Sequence, residues 1–264
     1  MATFTGAVFS NTLNMNTNIT LLTPKRFEGE LSSLPVVYLL HGLSENVSDW
    51  QDKAPLTTLC DLYHIVFVLP EVARSFYTDM VYGLNYFTYV TEELPQLCRR
   101  YFGLSTRPEQ SYLFGMSMGG YGALKAALKL PERYAGCCAC SSVCDLADWV
   151  NTYGKPYYKE YQAIWGMGLE HLPENELCYL AQQAPTPHPV KFYLSCGTND
   201  FLHESNFYFQ EHLKALGFDV TYEEWAGGHE WLFWNKSLFQ AAKTLWGEIP
   251  TWKPLPIFSS NRSV

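Results

Sequence analysis

The chain has 264 residues, 47% of them hydrophobic and 17% charged, with a net charge of −8. That composition excludes an intrinsically disordered chain, and at this length about 75% of the unfolded surface can be buried. The charges are dispersed, without the Lys and Arg clusters that nucleic-acid binding needs, and no window approaches 18 consecutive apolar residues, so no membrane span is expected.

The first nine residues hold no early Lys or Arg and no uninterrupted apolar run, so they read as a strand and not as a signal peptide. Alternation over residues 2–10 and 15–22 predicts an opening antiparallel hairpin, followed by a polar surface connection over Lys25–Ser33. Pro35–His41 is a continuous apolar run, the pattern of a strand buried on both faces. Further strands are predicted at Ile65–Leu69, Ser111–Gly115, Tyr134–Cys140, Val190–Cys196 and Val220–Trp225. Between and after them, helices are predicted at Trp50–Tyr63, Tyr86–Tyr101, Gly120–Leu130, Ser205–Leu216 and Glu230–Leu245. In the last of these, Trp231, Phe233, Trp234, Leu238, Ala241, Ala242 and Leu245 recur at helical spacing. Strands alternating with crossover helices predict an α/β class: a mostly parallel central sheet with helices on both faces, in one domain over residues 1–264. Residues 142–189 break the rhythm. Aromatic and punctuated by Gly and Pro, they are expected to form a small cap-like insertion over the active site.

Gly115-Met-Ser117-Met-Gly119 stands where a strand gives way to a helix, the context that a G-x-S-x-G nucleophile elbow of the α/β-hydrolase fold requires. A serine on that strained turn needs neighbours two residues away that carry no colliding side chains. The following helix points its amino end at the serine and favours the charge of a tetrahedral intermediate. A hydroxyl is a poor nucleophile until a base takes its proton. Of the seven histidines, His229 in Gly227-Gly228-His229-Glu230 lies after the last strand, where this fold places its base. His203 is the rival, with a simpler reading as a helix-start residue. His41 is read as a structural hydrogen-bonder. The acid that holds the histidine tautomer is expected at Asp200, in the loop after a buried strand, with Asp145 one strand earlier as the alternative. Oxyanion stabilisation is expected from the backbone N–H groups of Met118 and Leu43. If residues 142–189 overhang the carboxyl ends of the strands, Trp149 and Trp165 wall the substrate pocket.

The eight cysteines lie in or beside apolar segments and read as buried thiols of a cytoplasmic protein. Cys137-Cys138-Ala-Cys140 invites a metal reading, yet adjacent residues of a strand face opposite ways. No P-loop motif occurs, and neither a metal nor a cofactor is expected.

With these residues in place, the chain resembles the esterase D group of α/β-hydrolases, and the bacterial tributyrin esterases most of all. The resemblance runs from Val36 to about Trp246. It rests on His41-Gly-Leu-Ser-Glu-Asn46 with Asp49-Trp50, Ser75-Phe-Tyr77-Thr-Asp79, and Tyr86 through Pro95. The elbow Gly115–Gly122 and Gly228-His229-Glu-Trp231 complete it. The resemblance implies hydrolysis of short acyl esters without a cofactor, by a homo-oligomer, with Leu43 and Met118 at the oxyanion hole.

The expected function is therefore a serine carboxylesterase acting on a small-molecule ester, with neither nucleic acid nor membrane as partner. A sugar-acetyl or feruloyl esterase and S-formylglutathione hydrolase keep the same machinery with another substrate. An acyltransferase using the same acyl-enzyme, or a catalytically dead binding module, are the remaining alternatives.

Overall fold

The computed structural model describes residues 2–25 and 27–248. Among them, eight strands form one sheet in the order β1-β2-β4-β3-β5-β6-β7-β8. The opening hairpin pairs β1 (Thr3–Ser10) with β2 (Met15–Leu22), and β2 runs antiparallel to β4 (Val66–Pro70). From β4 through β3 (Val36–Leu40), β5 (Ser111–Met116), β6 (Gly136–Cys140), β7 (Lys191–Gly197) and β8 (Val220–Trp225) every pair is parallel. Because both faces of a parallel sheet are covered, its strands carry apolar residues on each side. In β3, Val36, Tyr38 and Leu40 point into one core while Val37 and Leu39 point into the other.

The helices are α1 (Val47–Lys53), α2 (Leu56–Tyr63), α3 (Tyr86–Thr88), α4 (Leu94–Phe102) and α5 (Met118–Lys129), then α6 (Leu146–Thr152), α7 (Tyr158–Trp165), α8 (Leu177–Gln183), α9 (His203–Ala215) and α10 (Trp231–Trp246). On one side of the sheet, α4, α5, α9 and the segment 142–189 share a core; on the other, α2 and α10 pack against the alternate strand residues. None of the described helices is long and apolar enough to cross a membrane.

Two predicted helices are interrupted, each at a proline. The expected Trp50–Tyr63 helix starts earlier and breaks at Ala54-Pro55 into α1 and α2. Ala54 is extended, with φ −118° and ψ 147°, because the ring of a following proline disfavours helical geometry. The expected Tyr86–Tyr101 helix contains a π-helical turn over Tyr89–Glu93, between α3 and α4. Pro95 can neither donate to the carbonyl four residues back nor pack closely against it, and the widened turn absorbs the mismatch. In β6, Cys137 enters one core and Cys138 and Cys140 the other, as strand alternation requires. All eight cysteines are free thiols, and seven are buried.

Candidate active site

Ser117 sits on the single residue between β5 and α5, with φ 56° and ψ −122°. Such a backbone costs a non-glycine residue on the order of 1–3 kcal/mol, borne by the surrounding structure. The close packing that holds it explains both motif glycines. A Cβ on Gly115 would run into the Gly119 carbonyl, and one on Gly119 into the carbonyl of Leu40 at the end of β3. Gly119→Ala is accordingly expected to destabilise the fold by at least ~1–3 kcal/mol, the scale of overpacking against atoms that cannot yield. A wild-type urea midpoint in that variant would contradict the close approach.

The structure brings Ser117, His229 and Asp200 together. His229 Nε2 lies 3.0 Å from Ser117 Oγ, and its Nδ1 lies 2.9 Å from Asp200 Oδ2 and 3.2 Å from Oδ1. Asp200 is held in the turn after β7, where its Oδ1 accepts from the Leu202 N–H at 2.9 Å. Its carboxylate is wholly shielded, while the His229 ring keeps 20% of its surface exposed. Burial pushes the Asp200 carboxyl up, but the His229 hydrogen bond and charge outweigh it, aided by Leu202 N–H and the Ser141 hydroxyl. The net shift is below the ordinary carboxylate value.

Main-chain hydrogen bonds continue past the strand ends into these turns. Ser117 N–H donates to the Cys140 carbonyl at 3.0 Å, Ser141 N–H to Ser195 at 2.8 Å, and Thr198 N–H to Trp225 at 3.0 Å. Asn199 N–H reaches the Gly227 carbonyl at 3.0 Å, which ties the turn bearing Asp200 to the loop bearing His229. That approach leaves no room for a Cβ on Gly197.

The expected oxyanion donors are placed differently. Met118 is the first residue of α5 and fully buried, so its N–H belongs to the unpaired first turn of the helix. Leu43 lies on the wall of a cavity of about 300 Å³ that also touches Ser117 and His229. The Gly42–Leu43 peptide is firmly held. His41, 1% exposed, bonds the Gly42 carbonyl through Nδ1 at 2.8 Å, and its Nε2 accepts from Val72 N–H at 3.2 Å. With Nε2 an acceptor, Nδ1 is the donor, which fixes the tautomer. Arg74 Nη1 donates to the Leu43 carbonyl at 3.3 Å. His41 is thus a structural hydrogen-bonder, as its position at the strand end suggested.

Trp149, on α6, lines the same cavity. Trp165 does not: it is fully buried on α7, packed against Phe76 (ring centroids 5.3 Å apart) and Tyr161 (5.6 Å). The expectation that it walls the pocket is corrected by that packing, because its ring points into the core beneath the insertion. Asp145 caps α6, accepting from Asp148 N–H at 2.7 Å, and His203 Nε2 pairs with Glu224 at 2.8 Å; neither lines the cavity. Phe201, Trp234, Ser141 and Glu45 lie at or behind the site, a role that the sequence patterns did not assign to them. The Phe201 ring lies tilted against His229, with centroids 4.7 Å apart, and 6.4 Å from the Trp149 ring. Trp234 meets His229 edge-on at 5.0 Å and donates from Nε1 to Ser141 Oγ at 3.1 Å. Glu45 borders the cavity and accepts from Gly42 N–H at 3.1 Å. Burial pushes its carboxyl up and the Gly42 bond pulls it down, with burial prevailing.

Residues 10–245 match a family model described as a putative esterase. An acetyl esterase of Caldicellulosiruptor saccharolyticus is 34% identical over 253 residues, covering 88% of this chain and 94% of the relative. An S-formylglutathione hydrolase of Bos taurus is 30% identical over 191 residues, 63% of this chain and 64% of that protein. Among solved structures, the substrate-bound fluorophosphonate-binding serine hydrolase F of Staphylococcus aureus superposes with a TM-score of 0.84 at 25% identity. That match covers 94% of this chain and 99% of the other.

Proposed function

The chain belongs to the putative esterase family, has the α/β-hydrolase fold and is a serine hydrolase of carboxylic esters; from that premise we propose that Ser117, His229 and Asp200 hydrolyse short-chain acyl esters. The observation that carries the assignment is the unbroken hydrogen-bond chain from Asp200 through His229 to Ser117 Oγ. His229 Nε2 takes the hydroxyl proton as Oγ attacks the ester carbonyl carbon. Asp200 holds Nδ1–H in place and stabilises the imidazolium that forms. The Leu43 and Met118 N–H groups receive the developing oxyanion. His229 then returns the proton to the departing alcohol, and a water repeats the sequence on the acyl-enzyme.

A short acyl group is supported by the cavity of about 300 Å³, at the small end of ligand pockets, and by its aromatic walls. Residues 142–189 act in this reading as a cap, contributing Trp149 to the wall. Trp149→Ala is expected to shift the acetate-to-hexanoate rate ratio by roughly ten-fold, since a pocket wall discriminates by ~1–3 kcal/mol per methylene. An unchanged ratio on folded protein removes Trp149 from the pocket, and Trp165→Ala serves as the packing control. The bovine relative motivates S-formylglutathione as a second substrate, while the Glu45 carboxylate on the wall favours an uncharged alcohol over the anionic glutathione. Rates on p-nitrophenyl acyl esters, tributyrin, acetylated sugars, methyl ferulate and S-formylglutathione decide between them. A rate highest on S-formylglutathione overturns the acyl-ester reading. Free, mostly buried thiols support a cytoplasmic location, and light scattering tests the homo-oligomer that the family resemblance implies.

A further inference from the structure

A second cavity, of about 690 Å³, lies at the opposite end of the sheet and takes no part in this chemistry. Ser111, the first residue of β5, and Tyr134, just ahead of β6, border it, which puts it at the amino ends of the parallel strands. Six positions along β5 separate Ser111 from Ser117, about 20 Å at ~3.3 Å per residue. Its volume falls within the range of small-molecule sites, ~300–1,000 Å³.

The lining is built around cations. Because Pro95 has no N–H, the Thr91 carbonyl lacks its helical donor, and Arg133 Nη1 supplies one at 3.0 Å. Arg133 Nη2 also pairs with Glu92 at 2.7 Å and its Nε with Glu132, outside the lining, at 3.5 Å, so the guanidinium is fixed at the cavity edge. Arg99 and Arg100, in the last turn of α4, line the same cavity and make no ion pair among the described residues. Three arginines against one glutamate leave the lining with a positive surplus of two, in a chain whose net charge is −8. The cavity also meets Tyr38, a side chain 2% exposed whose hydroxyl has no hydrogen-bond partner among the described residues. Burial pushes that hydroxyl well up, so it stays protonated and can donate. An unpartnered buried hydroxyl is costly, and a ligand acceptor placed against it recovers the lost bond.

We propose that this cavity binds a small phosphate monoester, its dianion held by Arg99, Arg100 and Arg133 with one acceptor atom on the Tyr38 hydroxyl. The charge of about −1.5 to −2 on such a phosphate at neutral pH matches the surplus of the lining, and guanidinium groups engage its oxygens in pairs.

Calorimetric titration of the full chain with glycerol phosphate and with inorganic phosphate, at constant ionic strength, tests this. Saturable binding at one site is expected, with a Kd below ~1 mM for the ester. The Arg99→Gln/Arg100→Gln double variant is expected to bind at least about ten-fold more weakly, the scale for losing charged hydrogen bonds. Tyr38→Phe should weaken binding roughly three- to ten-fold, yet leave the ligand-free urea midpoint undiminished, because the hydroxyl removed has no partner. No saturable heat, variants that bind like wild type, or acetate binding as tightly as phosphate would each overturn the proposal. Ester turnover measured on the same samples should stay at the wild-type rate in every variant. A failure here therefore leaves the esterase reading standing, and the reverse also holds.

Discussion

Ser117→Ala is expected to lower kcat by about 10⁶, the loss recorded when a serine hydrolase is stripped of its nucleophile. In the proposed mechanism the hydroxyl oxygen is the atom that becomes acylated, and the substitution removes it while leaving the tight turn filled by a methyl group. Both residues share the same φ restriction, so the strain at φ 56° persists and the urea midpoint should stay near wild type. Single-turnover measurement with a p-nitrophenyl acetate substrate gives the answer. Retention of more than about a tenth of the rate, only ~1.4 kcal/mol of barrier, is incompatible with Ser117 as nucleophile.

Asp200→Asn is the second large effect, a loss of about 10⁴ in kcat. A carboxamide fits the space between Leu202 N–H and His229 Nδ1, but it favours the tautomer in which Nδ1 accepts and Nε2 carries the proton. Nε2 then cannot take the proton of Ser117. Asp145→Asn should instead cost little activity, because Asp145 serves as a helix cap. A large loss in Asp145→Asn and a small one in Asp200→Asn would reverse the assignment of the acid. The same variant has a pH signature. The folded-state carboxyl of Asp200 lies below its ordinary value, so its contribution to stability is complete above the unfolded value of about 4 and is lost as pH falls through the depressed one. Asp200→Asn removes that dependence, and its urea midpoint should fall less than that of wild type on acidification below about pH 4.

Much of this architecture is written in local patterns. The run Val36–Leu40 announces a doubly buried strand because a strand covered on both faces carries apolar residues on each. The elbow reads clearly because two glycines must flank a strained serine. The pieces that escaped are of another kind. The break at Ala54-Pro55 and the widened turn before Pro95 depend on proline chemistry inside otherwise periodic segments, and periodicity alone joins such segments into one helix. Phe201 meets His229, and Ser141 meets Trp234 and Asp200, only through tertiary folding, across separations such as the 93 positions between Ser141 and Trp234. No short-range spacing reports such a contact. Trp165 shows the opposite error: an aromatic residue in the right segment faces the core, on one stripe of α7 with Tyr161 and Ile164, and a helix of eight residues is too short for its period to stand out within the insertion.

The hydrogen bonds that run on past the ends of β5, β6 and β7 have a consequence for how this enzyme fails. Residues carried on freely hinged loops lose their alignment through local fluctuations well before the whole molecule melts. Here the amides of Ser117, Ser141 and Thr198 are extensions of the sheet ladder itself. Opening the first two means unzipping the interior of the sheet, whereas the third joins β7 to the terminal strand β8. Proton exchange at the Ser117 and Ser141 amides should then proceed only as fast as global unfolding, and heat should switch catalysis off in a single cooperative step. Shelf life and working temperature would accordingly be governed by one barrier, the unfolding rate of the central strands.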